Sequence, residues 1–385
     1  MEENIWRVFT STKYNKPYYY NIITGISQWI KPLDNTIEVN LVFSWEKILS
    51  SEGQYFFFNV DTKVSQWKLP LSCNQGLKWT GNSCYMDSIL QSLFGCEGNT
   101  LMNKILYTNL DNDKRKNLCS VKSRKDIQEE LHKITCFIRG ISSKDQKNTV
   151  KRFRKLLKEC PYKGAGENEQ FYGKNMRDSG EFLGYLLNMF PVSESAKTVT
   201  INYATNDLSD NVPDKNLIET SRITDHKASI IITIDSFKLL SMKSNTKISD
   251  FLTMYQDTGK LDEDNLFVPT EGIGKGKKYY RNIKKTEMIN SVSVIFSLFR
   301  NNPITEEYID TNILPEEKIT LSSGKKLKLT AITVYTLRHY VCYFKCNNEW
   351  YLYDDSEHEN VTKIGTYSDL NLESIGMNGT QFFYN

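Results

Sequence analysis

Gly76-Leu77-Lys78-Trp79-Thr80-Gly81-Asn82-Ser83-Cys84-Tyr85-Met86-Asp87-Ser88-Ile89-Leu90-Gln91 is the stretch on which the reading of this 385-residue chain turns. Met86, Ile89, Leu90, Leu93 and Phe94 recur at helical spacing, which predicts an amphipathic helix beginning near Cys84. Gly81 permits a tight turn that delivers Cys84 to the first turn of that helix. Unpaired backbone N–H groups and the positive end of the helix dipole favour a thiolate there, the reactive form of cysteine. A buried structural thiol is the other reading of the same position, and the helix alone does not choose between them.

A cysteine nucleophile needs a base and a group that orients the base, usually from distant parts of the chain. Four histidines are available: His132, His226, His339 and His358. His132 lies in a charged helical stretch, and His226 and His358 stand beside acidic residues in expected loops. His339 is different. Arg338-His339-Tyr340-Val341-Cys342-Tyr343 leads through Asn347-Asn348 into Trp350-Tyr351-Leu352-Tyr353-Asp354-Asp355. With Asn347-Asn348 as the turn of a hairpin, Cys346 pairs with Glu349 and Asp354 falls opposite Val341, one diagonal step from His339. A register shift of one residue would exchange Asp354 for Asp355.

Elsewhere the pattern mixes helix and strand. Lys-rich sequence from Asp111 to Lys158 predicts further helices with charged faces, and a second clear helix runs from about Asp178 to Phe190, stopping at Pro191. Strands are expected at Ile230–Ile234, Val292–Phe296 and Leu327–Tyr335, so helices precede strands, as in an α+β enzyme. Lys275–Lys285 interleaves lysines with Tyr279 and Tyr280 and is read as a solvated loop or strand face rather than a nucleic-acid contact.

The segment around Cys84 resembles the cysteine box of ubiquitin-specific proteases, Gly-Asn-Ser/Thr-Cys-Tyr-Met-Asn-Ser-x-Leu-Gln, with Asp87 in place of its second Asn. His339-Tyr340, the hairpin, Trp350-Tyr351 and Asp354-Asp355 resemble that family's histidine box, with Arg338 where the family has Gly. Met176-Arg177-Asp178-Ser179-Gly180-Glu181-Phe182-Leu183 resembles a third family element, Gln-x-Asp-Ala-x-Glu-Phe-Leu, without its Gln. The resemblance implies a papain-like cysteine protease fold with a helical thumb, a β-rich palm and reduced, zinc-free fingers, because 191–325 holds no Cys-x-x-Cys pair. It implies Cys84 as nucleophile, His339 as general base and Asp354 as orienting carboxylate. Relatives often carry the oxyanion-donor Asn five residues before the nucleophile, where Trp79 stands here; either the Trp79 indole serves, or Trp79 only packs and the Cys84 amide and Asn82 side chain are expected to take that role. Trp79, Asp178 and Tyr340 are the expected substrate-binding residues, Asp178 for an arginine in ubiquitin's tail; as the first residue of a helix, Asp178 is also read as a cap. The implied activity is hydrolysis after the C-terminal glycine of ubiquitin, with no metal or cofactor; the alternative is a weakly active ubiquitin-binding scaffold. The metal-free layout is similar to divergent relatives encoded by large DNA viruses, which would act in the host-cell cytoplasm.

The N-terminal residues repeat. Adding 38 carries Asn21, Thr24, Ser27, Gln28, Trp29 and Pro32 onto Asn59, Thr62, Ser65, Gln66, Trp67 and Pro70, and Tyr18-Tyr19-Tyr20 onto Phe56-Phe57-Phe58. Each copy reads as a three-stranded antiparallel sheet whose aromatic residues replace a core that so short a segment cannot build. The pattern resembles the WW domain. That implies buckles of Trp6, Tyr19 and Pro32, and of Trp45, Phe57 and Pro70. The implied ligand grooves are Tyr18, Tyr20 and Trp29, and Phe56, Phe58 and Trp67, which suit proline-rich peptides. The expected domains are 1–34, 39–72 and 74–385.

Composition bounds the rest. A net charge of +3, from 49 basic and 46 acidic side chains, leaves no nucleic-acid footprint. No apolar run is long enough for a membrane span, and Met1-Glu2-Glu3-Asn4 opens no signal peptide, so a cytoplasmic or nuclear protein is expected. The eight cysteines are accordingly read as free thiols.

Overall fold

The chain divides into two units, Met1–Lys68 and Leu69–Asn385. The computed structural model describes the first by the backbone of its strands between residues 6 and 66. From 73 to 385 it describes all residues except 97–99, 112, 114–118, 141–145, 164–165, 167–168, 191, 193–195, 210–211, 337 and 357–359.

The first unit holds two three-stranded antiparallel sheets, β1 (Trp6–Ser11), β2 (Lys16–Asn21) and β3 (Ser27–Gln28), then β4 (Trp45–Leu49), β5 (Tyr55–Asn59) and β6 (Ser65–Gln66). Each early Trp pairs with the Asn that closes the aromatic triplet, Trp6 with Asn21 and Trp45 with Asn59. Tyr19 opposes Gln28, and Phe57 opposes Gln66 at the same offset. Tyr18 and Tyr20 fall at alternate positions of β2, as Phe56 and Phe58 do on β5. Trp29, Trp67, Pro32 and Pro70 lie outside the described residues.

The second unit begins with helices: α1 (Cys84–Phe94), α2 (Thr100–Tyr107), α3 (Val121–Ile138), α4 (Gln146–Leu156) and α5 (Ser179–Asn188). The strands β7 (Ala196–Thr205), β8 (Ile218–Ala228) and β9 (Ile231–Ile234) follow, then α6 (Ser236–Ser241). Next come β10 (Thr246–Lys247), β11 (Thr253–Asp257), β12 (Arg281–Ser291), β13 (Val294–Leu298), β14 (Ile313–Leu314) and β15 (Lys318–Thr320). The chain ends with β16 (Lys326–Thr336), β17 (His339–Cys346), β18 (Glu349–Tyr353), β19 (Val361–Gly365), α7 (Leu372–Asn378) and β20 (Gly379–Tyr384). A large sheet in the order β19-β18-β17-β16-β20-β13-β9, with β15 against β16, packs under the helices, and a four-stranded sheet runs β11-β12-β7-β8. This is an α+β fold, helices first.

Two expectations change, and two features lie beyond what the sequence pattern gives. The sequence predicts an amphipathic α1, yet every one of its residues is buried, because its polar side is covered by the large sheet and the chain leading into the helix. Four cysteines are not free: Cys73 is bonded to Cys346 and Cys119 to Cys160, with Cα separations of 5.8 and 4.8 Å. Separations of 273 and 41 residues hid both pairs. Tyr279 is buried, not part of a solvated face. Much of 191–325, the stretch without a Cys-x-x-Cys pair, forms the β11-β12-β7-β8 sheet, whose end is tied by Arg281. That side chain pairs with Asp257 and donates to the Ser209 carbonyl at 2.6 Å. Among the described residues, no helix is long and apolar enough to cross a membrane.

Candidate active site

Gly81 and Asn82 both take left-handed backbone, φ +83° and +48°, and turn the chain into α1. Glycine does so freely, and Asn tolerates it better than most residues. Three clamps hold this turn. Arg154 of α4 donates to the carbonyls of Thr80 (3.0 Å), Gly81 (2.9 Å) and Gly173. Asn82 Nδ2 donates to the Lys174 carbonyl at 3.0 Å. Ser83 Oγ accepts from the Thr80 amide at 2.9 Å and donates to Asp87 Oδ2 at 2.5 Å. Cys84 follows as the first residue of α1, and the amides of a first helical turn have no intrahelical acceptor.

The hairpin β17–β18 turns at Asn347-Asn348, with Cys346 opposite Glu349. It brings His339, at the head of β17, onto the two aspartates just past β18. His339 Nε2 lies 2.8 Å from Asp354 Oδ1 and 3.4 Å from Asp355 Oδ1. Asp354 Oδ1 also accepts from the amide and hydroxyl of Ser356, at 2.9 and 2.6 Å. Cys84 lies close enough to His339 to act on its charge. An imidazole that donates from Nε2 to Asp354 leaves Nδ1 for the sulfur. Arg338, where the resembled pattern has Gly, holds φ +68° to start the strand.

These contacts set the charges. Contact with Cys84, above all, raises His339 from 6.5 to about 9; partial burial opposes it, and Asp354 and Asp355 add to it. Asp354 falls below the usual carboxylate range: burial works against ionisation, but the Ser356 hydrogen bonds and His339 outweigh it. Asp355 goes the other way, pushed up to about 6 chiefly by burial.

The remaining expected residues are more dispersed in role. Asp178 caps α5, accepting the Glu181 amide at 2.9 Å, while its other oxygen accepts Tyr340 Oη at 3.4 Å. Tyr340 is buried, and Trp79 is half exposed beside the turn, at 50 %. Of the other histidines, His132 lies on α3 and His226 on β8, and neither belongs to this cluster; His358 is outside the described residues.

Residues 75–384 match the family model described as ubiquitin carboxyl-terminal hydrolase. The chain belongs to the ubiquitin carboxyl-terminal hydrolase family. Residues 4–32 and 41–70 each match the WW domain. A chain of the solved Ubp8-Sgf11-Sgf73-Sus1 SAGA DUB module has the same fold, with TM-score 0.51 and 14 % identity over 86 % of this chain and 79 % of that one. No curated protein matches.

Two parts of this hydrolase-family site escaped sequence reading. Arg154 is one base among many in a Lys-rich stretch, and nothing local marks it. Asp87 was visible as a departure from the family pattern, but its meeting with Asp355 was not. The coupling of His339 to Cys84 gives a direct test. By NMR, the His339 ring should titrate near pH 9 in the native chain and fall back toward 6.5 in Cys84→Ala, because the largest raising contact is gone. An unmoved midpoint would show that the sulfur does not set the charge on the ring.

Proposed function

We propose that this chain is a thiol protease that hydrolyses the bond after the C-terminal glycine of ubiquitin, with Cys84 as nucleophile, His339 as base and Asp354 as orienting carboxylate. The observation that carries the reading is His339 held 2.8 Å from Asp354 and within reach of Cys84 at the head of a buried helix. The thiolate attacks the glycine carbonyl carbon, and the imidazolium gives its proton to the departing amine. Water, deprotonated by the neutral imidazole, then cleaves the thioester and releases the carboxylate and the thiol. The Cys84 amide faces the developing oxyanion, joined by the second N–H of Asn82, since the first is held by Lys174. The Trp79 indole is the rival donor. A weakly active ubiquitin-binding scaffold is the second reading, favoured by a half-exposed Trp79 at the position where relatives carry the donor Asn.

A ubiquitin bearing a C-terminal electrophile separates the two. The enzyme reading expects one covalent adduct, on Cys84, that disappears in Cys84→Ala. Tight binding without an adduct would establish the scaffold instead.

Asp178 is proposed to hold an arginine of the ubiquitin tail in addition to capping α5. Asp178→Asn keeps a good cap and removes the charge. It should raise KM for a ubiquitin–dye substrate about tenfold, the loss of ~1.4 kcal/mol, with Tm and kcat nearly unchanged. A fall in Tm with KM constant would leave only the cap.

The two WW modules are proposed to recruit proline-rich partners through Tyr18, Tyr20 and Trp29, and Phe56, Phe58 and Trp67. On an array of proline-rich peptides, Trp29→Ala with Trp67→Ala should lose binding while ubiquitin–dye hydrolysis is retained. If the native chain binds no peptide on such an array, the modules serve another ligand.

A further inference from the structure

Asp87 stands on α1 one residue short of a full turn beyond Cys84, and Asp355 directly follows Asp354. Asp87 is fully buried, and the Asp355 side chain has no exposure. The two carboxyl groups lie within hydrogen-bonding reach of each other. Ser83 Oγ serves Asp87 Oδ2, but Asp87 Oδ1 and both oxygens of Asp355 lack a well-formed hydrogen bond, His339 Nε2 standing 3.4 Å from Asp355 Oδ1. Three acceptor oxygens in the core without a well-formed hydrogen bond are costly, and two charged carboxylates in contact there are costlier still.

The groups facing the pair do not neutralise it. His339 and Asp354 face it from the hairpin, Arg154 from α4, Ser83 and Tyr85 from the head of α1, and Tyr353 from β18. Arg154 spends its hydrogen bonds on three backbone carbonyls, and His339 already bonds Asp354. A single proton shared by the two carboxyls answers the deficit: one becomes the donor, the other stays an acceptor, and the pair carries one negative charge.

We propose that Asp87 and Asp355 hold one proton between them, and that this acid–carboxylate bridge ties α1 to the histidine hairpin and presents one negative charge to His339. Asp355 is then a positioning residue for the imidazole, and Asp87 holds it in place. Burial raises both groups, Asp87 well above its usual value and Asp355 to about 6, so a singly charged pair spans neutral pH. Below about pH 6 a second proton removes the charge that helps hold the His339 imidazolium. Loss of the bridging proton at high pH sets two buried carboxylates against each other across the seam between α1 and the hairpin. Where the resembled family pattern has Asn, an amide would donate without any titrating proton, so the pH dependence belongs to Asp87.

The inference rests on the Cys84–His339 pairing proposed above, but its first readout needs no hydrolysis. The infrared spectrum of the full chain at pH 7 should contain the carbonyl stretch of a buried protonated carboxylic acid. That band should vanish in Asp87→Asn and in Asp355→Asn, where an amide donor lets the remaining aspartate ionise. The second readout is the pH dependence of Cys84 alkylation by iodoacetamide, located by peptide mapping. Its acid limb should fall near pH 6 in the native chain and move down by about one pH unit or more in Asp87→Asn. A role confined to packing would lower Tm in both variants without moving the limb. Absence of the band in the folded native chain, its survival in either variant, or an unmoved limb overturns the proposal. If Asp87→Asn does not fold, the native spectrum and Asp355→Asn decide the question.

Discussion

The burial of α1 is the constraint from which the site follows. A helix carrying Asp87, Gln91 and Ser92 with no residue at the surface sets these side chains against partners inside the protein. Ser92 meets Thr333 of β16 at 3.2 Å and the Cys342 thiol of β17 at 3.0 Å. Gln91 donates to the Gln75 carbonyl, and Asp87 meets Ser83 and Asp355. Each bond names one neighbour, and losing one strands a buried group at about 1–3 kcal/mol. Apolar packing alone would let the helix slide against the sheet; these contacts fix its rotation and its level. Cys84 is thereby set against the head of β17, where His339 stands.

The approach to the helix is held as firmly as the helix. Tyr353 Oη donates to the Leu77 carbonyl at 3.0 Å, and Asn360 Nδ2 donates to the carbonyls of Gly76 and Leu77. A Cβ on Gly76 would stand 2.6 Å from the Tyr353 ring, so the chain passes only as glycine. The hairpin that carries the histidine is thus also the wall against which the nucleophile segment is laid. Arg154 closes the other side. Movement of either segment changes both.

This arrangement explains which parts of the protein could be read from sequence. The turn at Gly81, the α1 periodicity, the Asn347-Asn348 hairpin and the Asp178 cap are local, and local chemistry writes them plainly. The repeat is equally local, and its second and third strands pair at the same offset in both copies. What stayed hidden depends on distant segments meeting. Cys73 and Cys346 look like unrelated thiols until β17 is folded against the N-terminal approach. The β7, β8, β11 and β12 strands lack clean alternation because much of that sheet is only partly buried on either side. The spacing in α1 identifies the helix but not its full burial, since periodicity reports which side is polar and not what covers that side.

Strand alternation accounts for the division of labour between two adjacent aspartates. Asn347 and Asn348 adopt φ +51° and +66°, the backbone a two-residue hairpin turn demands, and so fix the register of β17 against β18. Past Tyr353 the next two side chains leave the strand on opposite sides. Asp354 keeps 22 % of its side chain exposed and collects the Ser356 and His339 hydrogen bonds, which hold it ionised. Asp355 turns into the dry seam with α1, where burial holds its proton more tightly. Two chemically identical neighbours are driven apart in charge by their surroundings alone. A register slip of one residue would exchange them, setting Asp355 at the imidazole and Asp354 in the dry seam, each taking the charge its new surroundings impose but without the Ser356 hydrogen bonds placed to hold the ionised one. The turn residues therefore govern the electrostatics of the site from its far end.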